Sequence, residues 1–259
     1  MSRQSLLSRA WMAAPDWLFR AAGALLFALL IGLEIQEFLN LAGKSPDGYS
    51  GAFWNFWLVW KFPGRATVYL PYGRVLVLFT YLLIAISFIV RMPPIRRAAQ
   101  ARHIVIPLIG AFWPFLPLVV KHTWAWIDRE SVQSYAAMLF DQRMPFWRFA
   151  AGSGLIILGN VLDVWGYAVL CRSLSIVAEA RALKVTGPYR FVRHPVYLGQ
   201  FLAQAGVWLF FAEPNVIWYC FYACFVAMQL YRSRVEDEVL EEAFGDRYRD
   251  WKRRTFWFV

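Results

Sequence analysis

Long apolar runs at residues 17–41, 75–90, 104–120, 149–171, 196–211 and 216–230 limit, more than any other feature, the folds open to this chain. A helix needs about 20 mainly apolar residues to cross the hydrocarbon core of a bilayer. Only helices and closed barrels satisfy their backbone groups there. With 59% hydrophobic and 17% charged residues and a mean hydropathy of +0.42, the pattern predicts an all-α, polytopic transmembrane bundle of about six spans and excludes an ordinary soluble domain. The net charge of +10 is explained by where it falls. If the N-terminus through Arg20 at the start of the first run, residues 91–102, residues 172–193 and the C-terminus share one side, that side holds 19 of the 27 lysines and arginines. The positive-inside rule makes that side the cytoplasm, with both termini there. Anionic lipid headgroups then answer the charge, and nucleic acid has no place.

No short apolar leader with a small-residue cleavage site follows Arg3 and Arg9, so the first span is expected to act as its own insertion signal. The compact chain, without targeting tails, points to a bacterial inner membrane. Glu34 lies deep in the first run and should face other helices or a cavity, whereas Glu37 reaches the interface. The aromatic stretch 53–62 is too short to cross and reads as an interfacial segment within a loop. Pro107, Pro114 and Pro117 predict a kinked or partly re-entrant third span. Cys171, Cys220 and Cys224 have no metal or disulfide spacing and are expected to be buried, inert thiols. No metal site is expected. Gly152, Gly154 and Gly159 have the wrong spacing and context for a dinucleotide loop and are read as helix-packing positions. In the same span Asp163, one turn from Asn160, is a candidate for a substrate or proton role or for an interhelical hydrogen bond. His103 and His122, near span ends, read as structural.

The densest polar signal is residues 184–199, KVTGPYRFVRHPVYLG. Gly187 and Pro188 signal a turn. Pro195 keeps His194 extended and suits the first position of the next helix. The imidazole is thus predicted on a stiff loop at the membrane interface, beside Arg193 and between Tyr189 and Tyr197. An antiparallel hairpin of the last two spans, turned at Glu213-Pro214-Asn215, brings residues 231–240 back to the same face. There Arg232 and Glu236 share a side of a charged amphipathic helix expected over residues 231–259. As an exposed pair they would contribute less than about 1 kcal/mol. Beside a rigid His/Tyr loop they present a cation and an anion together.

The motif G-P-Y-x-x-x-R-H-P-x-Y-x-G at 187–199, a helical hairpin, and E-[ED]-x-x-L-x-x-x-F-G at 236–245 together resemble the isoprenylcysteine carboxyl methyltransferase and phospholipid methyltransferase group of integral membrane enzymes. Residues 171–175 and 247–255 fit the same pattern, so the resemblance covers about 150–259. It implies an N-terminal transmembrane region over 1–148 and a methyltransferase-like region over 149–259 with a C-terminal, cytosolic site for S-adenosylmethionine. Carried over by motif position, that site uses Tyr189, His194, Pro195, Tyr197, Glu236 and the backbone around 181–184. Arg232 matches the residue that orients the acidic group of the substrate in carboxyl-methylating members. Asp237 stands where a second glutamate is usual; either its shorter arm serves or Glu238 takes its place.

The residue chemistry agrees with that implication. Glu236 suits an ammonium group, Arg193 and His194 suit anionic or sugar oxygens, and the tyrosines suit an adenine or a sulfonium. Asp163 and Glu34 are the candidates for contact with a lipophilic acceptor, whose reactive group is a carboxylate, an amine or a thiol. A nicotinamide-dependent enzyme like the membrane sterol reductases, or a non-catalytic partner with the same fold, are the alternatives. Pro195 and Gln200 depart from the Asn and Asp usual in the reductases.

Overall fold

The computed structural model describes residues 11, 13–41, 57–61, 67–97, 100–113, 116, 128, 145–209 and 216–257. The chain is mostly helical. Helices α1 (Asp16–Leu41) and α2 (Tyr72–Val90) pack side by side around Phe27, Ile84 and Phe88. Helix α3 (Arg102–Phe112) lies against α6 (Val216–Phe244), and α4 (Phe146–Leu170) runs along α5 (Pro195–Trp208). Two stretches, Asp16–Gln36 and Phe146–Ser173, are long and apolar enough to cross a membrane, while Val75–Val90 and Arg102–Phe112 are shorter apolar helices. Leu25, Leu29, Phe79, Ile89 and Leu158 point outward from these helices. So much exposed aliphatic and aromatic surface marks contact with lipid or other apolar matter rather than water.

Glycines set the closeness of α4 and α5. A Cβ on Gly199 would stand 2.6 Å from the Gly159 carbonyl oxygen, and one on Gly206 2.6 Å from that of Gly152. The two backbones touch where helices without glycine are held apart by side chains. Gly154 faces open space and takes no part in this contact.

Several expectations need correction. Residues 57–61 are not loop: β1 (Trp57–Lys61) pairs antiparallel with β2 (Thr67–Pro71), in register from Trp57↔Pro71 to Lys61↔Thr67. Aromatic and β-branched residues favour a pleated ladder, which also satisfies the backbone groups. Residues 53–56 lie outside the described residues. The last span and the charged helix are one element, because no glycine or proline interrupts Val216–Phe244. That helix ends at Gly245, with φ +56°, where the chain turns into α7 (Asp246–Lys252). Cys220 and Cys224 are exposed and Cys171 is half-buried; apolar residues all round this part of α6 leave its inner face illegible in sequence. Pro114, Pro117, His122 and the turn at 213–215 lie outside the described residues. His103 is buried, with its ring edge-on to Tyr231.

A two-residue antiparallel pairing of β3 (Arg96–Arg97) with β4 (Glu179–Ala180) joins the segment after α2 to the segment after α4. Asp16, which opens α1, pairs with Arg91 at 2.7 Å and Arg181 at 3.1 Å. The start of α1, the end of α2 and the chain beyond α4 therefore meet at one end of the bundle. The candidate site is at that end.

Candidate functional site

The loop that precedes α5 is held from three sides. Gly187 sits at φ +59°, a conformation that favours glycine, and a Cβ there would also come 2.8 Å from Val169 Cγ2. It opens a 3₁₀ turn, Gly187–Arg190. Past the turn, the C-terminal tail lies alongside: the Arg193 N–H donates to Phe256 O at 3.0 Å and the Phe256 N–H to Phe191 O at 2.9 Å. Trp251 Nε1 donates to Tyr189 O at 2.9 Å. Pro195 then starts α5 with His194 as the last non-helical residue, at φ −126° and ψ 66°. The His194 ring stacks on Tyr197, 5.4 Å between centroids, and meets Trp257 at 5.1 Å. The imidazole is thus fixed by packing before any polar contact is counted.

Asp237 supplies the polar contacts. Its carboxylate accepts from His194 Nε2 at 2.8 Å, from Arg193 Nη1 at 2.7 Å and from the Tyr248 hydroxyl. Lys252 Nζ is 3.9 Å away. Burial works to raise the Asp237 carboxyl, but hydrogen bonds from His194 and Tyr248 and the charges of His194 and Arg193 outweigh it and hold the group below the usual carboxylate range. The cost appears on Tyr248, whose phenol is raised far above its ordinary value by burial and then by the Asp237 charge. Glu238 is exposed and does not replace Asp237.

Its neighbour Glu236 faces the other way. Tyr197 OH donates to Glu236 Oε1, Arg232 Nε lies 3.3 Å from the same oxygen, and His194 Nδ1 is 3.7 Å from Oε2. Far from being an exposed pair, Arg232 is buried, with its guanidinium 5.1 Å above the Tyr197 ring. One full turn of α6 thus carries both carboxylates: Asp237 grips the loop from behind, and Glu236 points into open space.

That space is a cavity of about 380 Å³. Tyr189, Arg193, His194, Tyr197, Arg232, Glu236 and Trp251 are among the residues that line it. So are the apolar Phe27, Ile84, Ile156 and Val207, together with Glu34, Asn160 and Asp163. Of the residues predicted from sequence, Pro195 and Asp237 do not line the cavity; both act on the loop that does. Tyr167, Gln200 and Trp251 escaped the sequence reading. Tyr167 and Gln200 sit within spans, where nothing marks which face turns inward. Gln200 Nε2 donates to Tyr167 OH at 3.2 Å and itself accepts from Gln229 Nε2. Tyr189 is buried, and its phenol is held well above the ordinary value by that burial, then by the charge of Glu236, then by Tyr167 and Asp163.

A second group of charges abuts the cavity. Arg181 Nη2 lies 2.6 Å from Glu179 Oε2, and Arg97 Nε 3.1 Å from Glu179 Oε1. With Asp16 and Arg91 they form a buried cluster, and Arg181, Glu179 and the neighbouring Ser175 reach the cavity wall. Among the described residues no group of three or more His, Cys, Asp or Glu is placed to hold a metal ion.

Residues 147–247 match the model of the phospholipid methyltransferase family, integral membrane methyltransferases. No curated protein matches the chain. The family match spans α4, the His194 loop, α5 and α6, and so contains His194, Tyr197, Arg232 and both carboxylates.

Proposed function

We propose, from this phospholipid methyltransferase region, that the protein is an integral membrane methyltransferase that uses S-adenosylmethionine and methylates a lipophilic acceptor. The supporting observation is a single cavity whose wall passes from His194, Tyr197 and Glu236 to Phe27, Ile84 and Val207. Such a cavity suits a polar donor from the cytosol and an apolar acceptor from the bilayer.

The residues fit the cofactor. Glu236 offers its ammonium a carboxylate, and Arg193 and His194 offer donors to carboxylate or sugar oxygens. Tyr189, Tyr197 and Trp251 offer aromatic faces to adenine or sulfonium. When bound, S-adenosylmethionine supplies an electrophilic methyl group carried on sulfur. Everything else is positioning. Tyr197 and Arg232 orient the Glu236 carboxylate in advance, and Asp237 fixes Arg193 and His194 from behind. The packed helices keep water from the transfer. Arg232, a wall residue of the cavity beside Glu236 and Tyr197, is assigned to orienting the acceptor.

In this reading helices α1 to α6 provide about six spans, the site end of the bundle faces the cytoplasm with both termini, and the membrane is a bacterial inner membrane. Residues 1–148 form the N-terminal transmembrane part and 149–259 the methyltransferase part. The test uses S-adenosylmethionine labelled in its methyl group, added to membranes carrying the protein. Label in the organic-extractable fraction is expected with wild type and lost in Glu236→Ala and His194→Ala. Purified protein without affinity for S-adenosylmethionine overturns the reading.

A further inference from the structure

Several polar side chains of the apolar helices spend their protons on nearby backbone. Thr80 and Ser87 each donate to a carbonyl one turn back, Asn160 Nδ2 donates to Ile156 O, and Tyr222 OH donates to Phe201 O at 3.2 Å. Tyr167 is different. Its hydroxyl oxygen accepts from Gln200 Nε2 at 3.2 Å, and Gln200 Oε1 accepts from Gln229 Nε2. Both amides thus donate toward the phenol, and among the described residues nothing accepts the phenol's own proton. Gln229 is 1% exposed, and burying an amide within a span is costly. Helices α4, α5 and α6 each contribute one member of this chain. A chain that only joined helices would end on a carbonyl, as Tyr222 does. This one ends on a hydroxyl proton.

The place of that proton narrows what it meets. Tyr167 stands one turn, roughly 5 Å, before the end of α4. It is half-buried rather than enclosed, and both it and Gln200 line the cavity. It packs against two apolar clusters, one with Phe27, Ile84 and Leu174, the other with Val196, Tyr197 and Trp257. Its phenol lies within electrostatic range of Arg232 and Glu236. A lipophilic molecule in the cavity can therefore lie on side chains of α1 and α2 while its polar end meets the Tyr167 hydroxyl. An end that only donates, such as an ammonium, leaves that proton unmet. An oxygen with a free lone pair takes it.

We propose that Tyr167 binds the polar end of a lipophilic substrate by donating a hydrogen bond to a carbonyl-type oxygen, with Gln200 and Gln229 as positioning residues that fix the hydroxyl. That this ligand is the methyl acceptor rests on the methyltransferase reading; the contact itself does not.

The test uses full-length protein in dodecylmaltoside, which has no carbonyl, with methyl dodecanoate as the probe. The infrared difference between ester labelled with carbon-13 at its carbonyl and unlabelled ester isolates the carbonyl stretch. Wild type should show, besides the band of ester dissolved in the micelle, a second band moved to lower frequency by the hydrogen bond. Tyr167→Phe, which removes one hydroxyl, should lose the second band. Gln200→Leu keeps the hydroxyl but frees it, and should broaden and weaken that band. S-adenosylmethionine affinity should stay within about threefold of wild type in Tyr167→Phe, because no hydrogen bond to the donor is removed. Wild type without the shifted band overturns the proposal whether or not the variants fold. So does the same band in Tyr167→Phe, or a loss of donor affinity there as large as the loss of ester binding. Wild type that shows the shifted band but does not bind S-adenosylmethionine removes the methyltransferase reading and leaves the Tyr167 contact standing.

Discussion

The two buried charge clusters use the same chemistry for different ends. Around Asp16, three guanidiniums from Arg91, Arg97 and Arg181 meet two carboxylates, Asp16 and Glu179. These residues come from the start of α1, the end of α2, β3 and the segment following α4, and the cluster ties the first half of the chain to the second. Around Asp237, one carboxylate serves Arg193, His194 and Tyr248, all from the second half. The first cluster is a clamp between segments; the second is a cradle for one loop. A buried ion pair is weak evidence of net stability, but removing one partner is costly because the other charge is left behind. The cluster around Asp16 should therefore affect assembly of the bundle, and the cluster around Asp237 assembly of the site.

The largest expected effect is Asp237→Ala. It removes the buried carboxylate that Arg193, His194 and Tyr248 share and should cost about 3–5 kcal/mol, read as a lower midpoint of denaturant unfolding in detergent. S-adenosylmethionine affinity should fall with it. Asp16→Ala strands Arg91, while Arg181 keeps Glu179 at 2.6 Å, and should cost about 3 kcal/mol in the same measurement. Its donor affinity, measured by fluorescence titration under folding conditions, should remain within a few-fold of wild type. Loss of that affinity would break the distinction between clamp and cradle. Gly199→Ala drives a methyl group toward the Gly159 carbonyl and Asp163 and should cost about 1–3 kcal/mol by overpacking, with Tm falling although no charge has changed. Arg96→Ala is the control. Arg96 and Glu242 are about half-exposed at 2.7 Å, and the loss should stay under about 0.5 kcal/mol.

Acid sharpens the same comparison. Asp237 titrates below its unfolded value of about 4, so the unfolded chain takes up the proton first as pH falls. The stabilisation is complete above that value and is lost as pH drops toward the folded pKa. A Tm profile between pH 3 and 6 should show this acid limb in wild type and lack it in Asp237→Asn.

How much of this was legible in advance differs from residue to residue. His194 was legible because Pro195 restricts its backbone locally, and Tyr197 because it follows at a short, fixed spacing. Glu236 and Asp237 were legible as a pair but not as opposites. Consecutive residues on a helix point about 100° apart, and only the packing of α6 against the His194 loop decides which one meets the cavity. Tyr248 and Trp257 were not legible as partners of that loop. Their contacts need the turn at Gly245 and the return of the tail past Val192, which no local spacing encodes. The hairpin of β1 and β2 was missed because its two strands find each other across a turn, whereas an apolar helix satisfies its own backbone.

Sequence by itself determined the bundle of apolar helices, the stiff His194 loop and the presence of a cation and two carboxylates on one later helix. These follow from hydropathy, from proline and glycine, and from helical period, all of which act over a few residues. Tertiary structure alone decided that α4 touches α5 through Gly159 and Gly199, that Asp16 clamps the segments on either side of it, and that Tyr167 meets the cavity with Gln200 donating to it. Those outcomes depend on which surfaces are brought within a few ångströms of one another, and burial and pairing energies are settled only there.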